Sequence, residues 1–311
     1  MDRRVEVSGA DLWAWRQRAL AKAAIAGVDA QEVDWLLVAM GDIDRLSLRL
    51  GSVAQQPRVW LWCSLDDLDQ RWQARLQQRV PVQYLVGATP WRDLTLTVSP
   101  AVLIPRPETE LIIDLAAAMV KNRPERAIAH QPGAEHLPEG LWVDLGTGSG
   151  AIALALAQTF PKASILAVDL SPEAVAVAEA NARRAGLSDR ITFYQGSWFE
   201  PLAQYRGQIS ALVSNPPYIP SALLPTLQPE VFGHEPLTAL DGGEDGLSAL
   251  RLLASQAPEY LVPGGLWLVE MMAGQGTAVE ELLMAQGCYG DIQTHLDLAG
   301  RDRFVQAIYS P

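Results

Sequence analysis

The stretch that decides the fold is Leu-Trp-Val-Asp-Leu-Gly-Thr-Gly-Ser-Gly, residues 141–150. Its first half, Leu141–Leu145, is an apolar run that predicts a buried strand, and the apolar residues after the glycines predict a helix. Glycine at 146, 148 and 150 lets the backbone turn tightly and approach a ligand closely. A strand–turn–helix unit of this kind indicates a ligand site in an α/β sheet.

Alternation of strand-like and helical segments continues from this unit to the end of the chain. Helical stretches such as Pro172–Ala185 separate the apolar runs, which predicts a mostly parallel sheet with helices on both faces. The last two runs are joined by a connection too short for a helical crossover, so we expect them to pair antiparallel. The strand-like runs are 141–145, 164–169, 191–194, 209–214, 266–270, 289–294 and 304–309.

The chain up to residue 85 has helical periodicity instead. Ser8 is placed to cap a helix that stops at Gly27, and Ser64 to cap a later one. Asp29 with Glu32 resembles a capping box for a helix that carries Trp35, Leu36 and Ala39.

Residues 94–98 alternate like a strand, and 102–104 is the expected partner in a hairpin. We therefore expect an N-terminal helical domain over 1–85, a β-hairpin linker over 86–105 and an α/β domain over 106–311.

Charge and cysteine content exclude several classes of function. Lys and Arg number 24 against 36 Asp and Glu, a net charge of −12, which disfavours general binding to nucleic acid phosphates. Cys63 and Cys288 lie far apart and outside any metal-ligand spacing, so we expect reduced thiols and no metal site. We find no apolar run of membrane-spanning length and no signal-type segment, and we expect a cytoplasmic protein with no membrane association.

An acidic residue follows the glycine loop at a distance typical of nucleoside binding. Asp169 ends the next predicted strand, 23 residues after Gly146, and its carboxylate can accept hydrogen bonds from ribose hydroxyls. Gly146, Gly148 and Ala151 also fit the G-x-G-x-x-G/A pattern of a nicotinamide dinucleotide site. A tight turn beside a solvated aspartate is the bland alternative, and this loop alone does not decide between them.

The segment Ser-Asn-Pro-Pro-Tyr-Ile, residues 214–219, follows the fourth parallel strand, so Asn215 is expected at the ligand-binding edge of the sheet. Pro216 and Pro217 form a stiff turn without N–H groups, Asn215 offers an amide, and Tyr218 offers a flat ring. The Asn215 side-chain oxygen and the proline carbonyls are acceptors, and two acceptors with a flat ring suit the binding of a planar NH₂ group. An ordinary rigid loop is the alternative.

At this point the chain resembles a known family. Asn-Pro-Pro-Tyr after a glycine-rich loop is similar to the amino-methyltransferases that use S-adenosylmethionine, and within them to the glutamine methyltransferases of bacterial and organellar peptide release factors. The similarity extends over roughly residues 8 to 309. The segments that carry it are 81–85 (PVQYL), 103–110 (LIPRPETE), 144–150 (DLGTGSG), 168–172 (VDLSP), 196–201 (GSWFEP), 215–219 (NPPYI), 235–236 (EP) and 242–247 (GGEDGL).

The resemblance implies a Rossmann-like, seven-stranded methyltransferase sheet with its last strand antiparallel, plus a small N-terminal helical domain joined by a β-hairpin. It implies S-adenosylmethionine as cofactor, release factors as protein substrate and Gly-Gly-Gln as the target loop. The implied cofactor-binding residues are Gly146, Thr147, Gly148, Ser149, Gly150, Asp169, Trp198 and Asn215, with Trp198 against the adenine. The implied substrate-binding residues are Asn215, Pro216, Pro217, Tyr218, Arg106 and Thr109, of which Asn215, Pro216 and Tyr218 are the implied catalytic residues.

Other functions remain to be weighed against this one. The same Asn-Pro-Pro-Tyr arrangement would serve methylation of an exocyclic amine on a nucleic-acid base, which the net charge of −12 and the missing basic domain disfavour. A non-catalytic binding module and a dinucleotide oxidoreductase are further alternatives. We also expect the N-terminal helices to dock the release factor, because a pocket for one amide cannot by itself select a protein.

Overall fold

The computed structural model describes residues 4–121 and 134–311, and its chain divides into two units. One unit holds Met1–Ala88 together with Gln228–His234, and the other holds Thr89–Leu227 and Glu235–Pro311. The boundary after Ala88 lies within the segment that the sequence predicted as a linker.

The first unit is mainly helical, and two of its helices begin at the predicted caps. The Ser8 side chain accepts from the backbone N–H of Asp11, and that helix ends at Gly27 with φ 63°. Ser64 forms a capping box with Asp67. The elements are β1 (Val5–Val7), α1 (Gly9–Ala26), α2 (Gln31–Met40), α3 (Arg45–Leu50), β2 (Val59–Leu61), α4 (Leu65–Gln78) and α5 (Val82–Val86).

The predicted capping box of Asp29 and Glu32 was wrong. Helix α2 begins at Gln31 with Ala30 at the N-cap and no side-chain cap hydrogen bond. Asp29 accepts from the Gln31 N–H at 2.9 Å, as in an Asx turn. Glu32 binds the guanidinium of Arg75 through two hydrogen bonds, which holds its carboxylate away from the helix N-terminus.

The first unit also includes a short helix from much later in the sequence, Pro229–Phe232. Arg75, with a side chain only 5% exposed, contacts Glu230 at 2.8 Å, and Arg79 contacts the same carboxylate at 2.6 Å. His234 Nε2 lies 2.7 Å from the Gln78 carbonyl oxygen. These ion pairs hold Gln228–His234 in the first unit.

The hairpin exists, but its strands differ from those predicted. Strand β4 (Leu94–Thr97) pairs with β3 (Ala88–Trp91) and not with 102–104, which is not a strand. The connection is a two-residue turn at Arg92-Asp93, in which Arg92 has φ 49°. Such a turn usually carries Gly or Asn, and Pro90 weakens the strand pattern. The sequence therefore did not indicate β3 as the partner of β4.

Seven strands of the second unit form one mixed sheet, which confirms the predicted fold class. The order is β10-β11-β9-β8-β5-β6-β7, and β11 runs antiparallel to both of its neighbours. The strands are β5 (Leu141–Leu145), β6 (Ser164–Asp169), β7 (Ile191–Gln195), β8 (Ile209–Ser214), β9 (Leu261–Glu270), β10 (Tyr289–Leu296) and β11 (Asp302–Tyr309). The main helices are α6 (Leu111–Lys121), α7 (Ala151–Thr159), α8 (Pro172–Ala185), α9 (Ser248–Gln256) and α10 (Gly276–Gln286).

Alternate residues of each strand enter two separate cores, one on each face of the sheet. Trp142 and Ala167 pack in one core, whereas Val143, Leu145 and Val168 pack in the other. Burial of both faces explains why these strands are nearly continuous apolar runs. Helix α7, with seven of its nine residues buried, belongs to the first core, and no helix within the described residues is long and apolar enough to cross a membrane.

The strand order reverses at β5, and this reversal positions the site. Strand β5 lies between β6, which follows it in sequence, and β8, which comes later on its other side. Leu145 and Ser214 are register partners at the carboxyl ends of β5 and β8, and the Ser214 hydroxyl donates to the Leu145 carbonyl at 2.6 Å. The glycine loop and Asn215 therefore leave the sheet side by side, where ligands bind in folds of this class.

Candidate active site

A cavity of about 250 Å³ lies outside the carboxyl ends of β5, β6 and β8. Among the residues predicted for the site, Gly146, Gly148, Asp169, Trp198, Asn215 and Pro217 line it. The other lining residues had no site role assigned from the sequence, although several of them lie in the segments that carry the resemblance. These are Ala101, Val102, Leu103, Val168, Leu170, Ser171, Ala174, Gly196, Ser197, Pro236, Thr238 and Ala239.

The glycine loop needs glycine for two different reasons. Gly146 has φ 76°, a left-handed conformation in which its N–H donates to the Val168 carbonyl at 2.9 Å. Gly150 has φ 83°, and a Cβ there would lie 3.1 Å from the Cβ of Ala178. The loop therefore bends sharply around the end of β6 and lets α7 approach α8 closely.

Thr147, Ser149 and Gly150 do not line the cavity, although the resemblance implied a cofactor contact for each. The Thr147 hydroxyl donates to Asp144 at 2.6 Å, and the Ser149 carbonyl accepts from the Asn181 side chain at 2.9 Å. Both side chains are buried. They hold the shape of the loop from behind.

Asp144 is the anchor of that loop. Its Oδ2 accepts from Thr147 and from the Ala153 N–H, at 2.6 and 3.0 Å, while the buried Oδ1 has no partner among the described residues. Complete burial raises the pKa of Asp144 to about 7, against the lowering effect of the two hydrogen bonds. Asp144 thus ties the loop to the first turn of α7.

Asp169 lies at the end of β6 with its carboxylate on the cavity. One oxygen accepts from the Gly148 N–H at 2.8 Å and the other from the Ser171 N–H at 2.9 Å. Burial raises the pKa of Asp169, opposed by these backbone hydrogen bonds. Each carboxylate oxygen keeps a further lone pair, so the group can accept two hydroxyl donors from a ligand.

Trp198 lines the same cavity from the loop after β7. It has φ 50°, a left-handed conformation that is common for glycine and uncommon for a bulky residue. The next residue, Phe199, is buried and stacks on Tyr260 with ring centroids 4.6 Å apart. This stacking fixes the loop and holds the Trp198 ring at the cavity wall.

Asn215 has one side of its amide engaged by the protein. Its Nδ2 donates to the Thr109 hydroxyl at 3.1 Å, and Thr109 is only 4% exposed. No hydrogen bond uses Asn215 Oδ1 within the described ranges, so that oxygen is available to accept a donor from a ligand. Pro217 lines the cavity beside it, whereas Pro216 is buried and does not.

Tyr218 is held at its hydroxyl and at its backbone carbonyl by residues at the end of β9 and just after it. Its hydroxyl donates to Glu270 at 3.1 Å, and its carbonyl accepts from the Gln275 side chain at 3.0 Å. Burial raises the pKa of Tyr218 well above the usual range, so the phenol stays neutral. Glu270 is 1% exposed, and burial raises its pKa to about 7. The sequence showed Glu270 only as the end of a strand, because its partners come from distant segments.

Arg106 lies behind the cavity and not in its lining. One guanidinium nitrogen donates to both carboxylate oxygens of Glu235, at 2.8 and 2.7 Å, and the Glu235 side chain is 1% exposed. The backbone carbonyl of Arg106 accepts from the indole N–H of Trp91 at 3.0 Å. The pair fixes Glu235 immediately before the lining residues Pro236, Thr238 and Ala239. In the described part of the chain no cluster of His, Cys, Asp and Glu is placed to hold a metal ion.

The chain matches known proteins over most of its length. A family model described as a methyltransferase domain matches residues 140–281. A release factor glutamine methyltransferase of Synechocystis sp. is 49% identical, with 97% of each chain covered, and one of Gloeobacter violaceus is 45% identical with 94% of each covered.

A solved structure is similar in fold. The hMettl16 catalytic domain, in complex with MAT2A 3′UTR hairpin 6, gives a TM-score of 0.53 at 14% identity, covering 87% of each chain. At that identity the likeness concerns the fold alone. The identity and coverage of the bacterial relatives go further, and by them this chain belongs to the release factor glutamine methyltransferase family.

Proposed function

We propose that this protein transfers a methyl group from S-adenosylmethionine to the side-chain amide nitrogen of the glutamine in the Gly-Gly-Gln loop of peptide chain release factors. The observation that carries the proposal is the fixed amide of Asn215, whose Nδ2 is engaged by Thr109 and whose Oδ1 is available at the cavity. The substrate follows from the relatives that carry this activity in their names.

The cavity fits a nucleoside with a charged chain. Asp169 offers two partly satisfied carboxylate oxygens for ribose hydroxyls, and Trp198 offers an aromatic face for adenine. Gly146 and Gly148 leave room beside the sheet for the remainder of the cofactor. When bound, S-adenosylmethionine would supply a methyl group that is already electrophilic.

The protein's own task is then to prepare the amide nitrogen. Delocalisation of an amide lone pair corresponds to a rotation barrier of about 18–20 kcal/mol, and it makes the nitrogen a poor nucleophile. Asn215 Oδ1, at the cavity, can accept one N–H of the substrate amide. Pro216 is buried and outside the cavity lining, but its carbonyl accepts no hydrogen bond within the described ranges, and we propose this oxygen as the second acceptor. Holding both N–H groups orients the nitrogen, and alignment of this kind contributes up to about 7–11 kcal/mol.

The N-terminal unit is proposed to dock the release factor. Trp60 on β2 and Trp62 just after it are each 37% exposed, and the Arg4 guanidinium lies 4.6 Å from the ring centroid of Trp62. Tryptophan and arginine are the side chains that most often dominate protein interfaces. Trp62→Ala should raise KM for release factor and leave cofactor affinity unchanged, whereas Ile25→Ala, at an equally apolar and 89% exposed position of the same unit, should change neither. An unchanged KM in Trp62→Ala would overturn the docking role of this surface.

One labelling experiment tests the reaction itself. Full-length protein is incubated with methyl-labelled S-adenosylmethionine and with release factor, release factor carrying Gln→Glu in its Gly-Gly-Gln loop, or nucleic acid. We expect label on the first alone, because Glu lacks the NH₂ group. Label on nucleic acid would instead indicate methylation of a base amine, and equal labelling of the Gln→Glu release factor would move the target to another residue.

A further inference from the structure

The segment Gly-Gly-Glu-Asp-Gly-Leu, residues 242–247, packs against the backbone of Tyr218 and Ile219. The Gly242 N–H donates to the Ile219 carbonyl at 2.8 Å. A Cβ at Gly246 would lie 2.4 Å from the Tyr218 carbonyl oxygen, and a Cβ at Gly242 would lie 2.8 Å from the Tyr218 carbonyl carbon. The two glycines therefore permit a backbone contact that a side chain at either position would disrupt.

Gln275 hydrogen-bonds to both partners of this contact from the turn before α10. Its Nε2 donates to the Tyr218 carbonyl at 3.0 Å and to the Gly246 carbonyl at 3.3 Å, and its Oε1 accepts from the Met272 N–H at 3.0 Å. Two acceptors and one donor leave a single orientation for the amide, with both of its hydrogens engaged. Gln275 is 6% exposed and occupies the N-cap position of α10, yet its side chain does not cap that helix. The side chain is instead committed to the Tyr218 carbonyl and its neighbours.

We propose that Gln275 is a positioning residue for methyl transfer, which together with the 242–247 segment holds the Tyr218 carbonyl and thereby fixes where Asn215 presents its amide. This inference rests on the proposed function. Asn215 would contact the substrate glutamine, whereas Gln275 acts only through the backbone that joins Tyr218 to Asn215.

The backbone between Asn215 and Tyr218 is short and stiff. Each of the two prolines between them fixes its φ at about −65°, so few dihedral angles of this segment can change. Its first end is held at Ser214, whose hydroxyl donates to the Leu145 carbonyl at 2.6 Å. Its second end is the carbonyl that Gln275 holds. Release of that end lets the segment shift, and a displacement of about 1 Å at the reacting groups can lower the rate about 100-fold.

The main test is Gln275→Leu, which keeps a side chain of similar volume and removes all three hydrogen bonds. We expect kcat to fall about 10- to 100-fold and the Kd for S-adenosylmethionine to change less than about threefold, because Gln275 lies outside the cavity lining. Gln306→Leu is the matched control, since Gln306 is 5% exposed and its Oε1 lies 2.7 Å from His295 Nε2. It should lower stability and keep wild-type kcat. Wild-type kcat in Gln275→Leu, or an equal loss of kcat in both variants, would overturn the inference.

Gly246→Ala disturbs the same contact without removing a hydrogen-bond donor. Its Cβ would lie 2.4 Å from the Tyr218 carbonyl oxygen and 2.7 Å from Gln275 Nε2, so kcat should again fall. Gly287→Ala is its control, because Gly287 has φ 70° against 77° for Gly246 and no atom lies within 4 Å of the added Cβ. Both variants carry the strain of alanine at positive φ. Equal kcat in the two would show that the contact with Tyr218 does not position the reacting groups.

A readout without release factor separates this inference from the proposed function. In protein labelled with ¹⁵N-asparagine, the side-chain signals of Asn215 are identified by their absence from Asn215→Ala. They should shift in Gln275→Leu and Gly246→Ala and stay in place in the two control variants. Unmoved Asn215 signals in Gln275→Leu and Gly246→Ala would refute the positioning role. A wild-type protein that does not label release factor would refute the proposed function instead.

Discussion

Asp144→Asn is the substitution whose effect the structure defines best. Asp144 is fully buried, and its pKa is raised from 3.8 to about 7 because burial penalises the charged form. The folded state therefore holds a proton at intermediate pH that the unfolded state has released, so stability falls as the pH rises between about 4 and 7. A difference of about 3 pKa units corresponds to about 4 kcal/mol.

Urea denaturation of the wild type and Asp144→Asn between pH 4 and pH 8 measures this contribution. Asparagine does not titrate, so the stability of the variant relative to wild type should rise by about 4 kcal/mol across that range. The effects of titrating groups that do not interact with Asp144 cancel in the difference. Cofactor affinity of the variant should stay close to that of the wild type, because Thr147 and Ala153 both donate to one oxygen of residue 144 and the asparagine oxygen can accept both hydrogen bonds.

Asp245→Asn serves as the control with the opposite sign. Asp245 is exposed and hydrogen-bonds to Arg251 and to the Leu247 N–H, which lowers its pKa to about 2. Its variant should lose stability relative to wild type as the pH rises from about 2 to about 4, and the difference should then stay constant up to pH 8. If the relative stability of Asp144→Asn stayed flat from pH 4 to pH 8, Asp144 would be ionised in the fold at all these values and the reasoning would be wrong.

Three further outcomes are expected at the site. Asn215→Ala should lower kcat about 10²–10³-fold, as loss of one preorganised polar group does, and Asn215→Asp should lower it less because an acceptor oxygen remains; single-turnover rates decide this, and an unimpaired Ala variant would contradict the role of the amide. Asp169→Ala should weaken S-adenosylmethionine binding about 10-fold or more, since a ligand hydroxyl would lose a charged acceptor, and calorimetry that finds equal affinity would exclude the ribose contact. Arg106→Ala should destabilise the fold by about 2–3 kcal/mol, because it leaves the Glu235 carboxylate buried without a partner; Arg106→Ala combined with Glu235→Gln should recover part of that loss in thermal denaturation.

The sheet and the cavity wall were predictable because their patterns are local. Continuous apolar runs indicated strands buried on both faces, and Gly146 with Asp169 marked where β5 and β6 end at one edge. Asn215 could be assigned to the same edge because it directly follows a predicted strand. In each case the informative residues lie within a few positions of each other.

The remaining parts of the site depend on contacts between distant segments. Glu270 is recognised as part of the site by its hydrogen bond from Tyr218, 52 positions earlier, and nothing beside it in sequence indicates this contact. Thr147 follows the glycine pattern of a ligand loop, yet its hydroxyl is taken by Asp144. The predicted pairing of the hairpin was wrong because Arg92 adopts a positive φ that is unusual for arginine and that the sequence does not indicate. Hydrogen bonds to Glu110 and Asp114 stabilise this conformation.

The inclusion of Gln228–His234 in the first unit has a consequence for synthesis on the ribosome. Arg75 and Glu230 are separated by 155 positions, so the N-terminal unit lacks the two ion pairs that Glu230 forms with Arg75 and Arg79 until most of the second unit has been translated. At bacterial and eukaryotic elongation rates of about 5–20 residues per second this delay is about 8–30 s. Throughout that interval Arg75 has only Glu32 to neutralise it. The nascent N-terminal helices should therefore resist proteolysis less than the same helices in the finished chain.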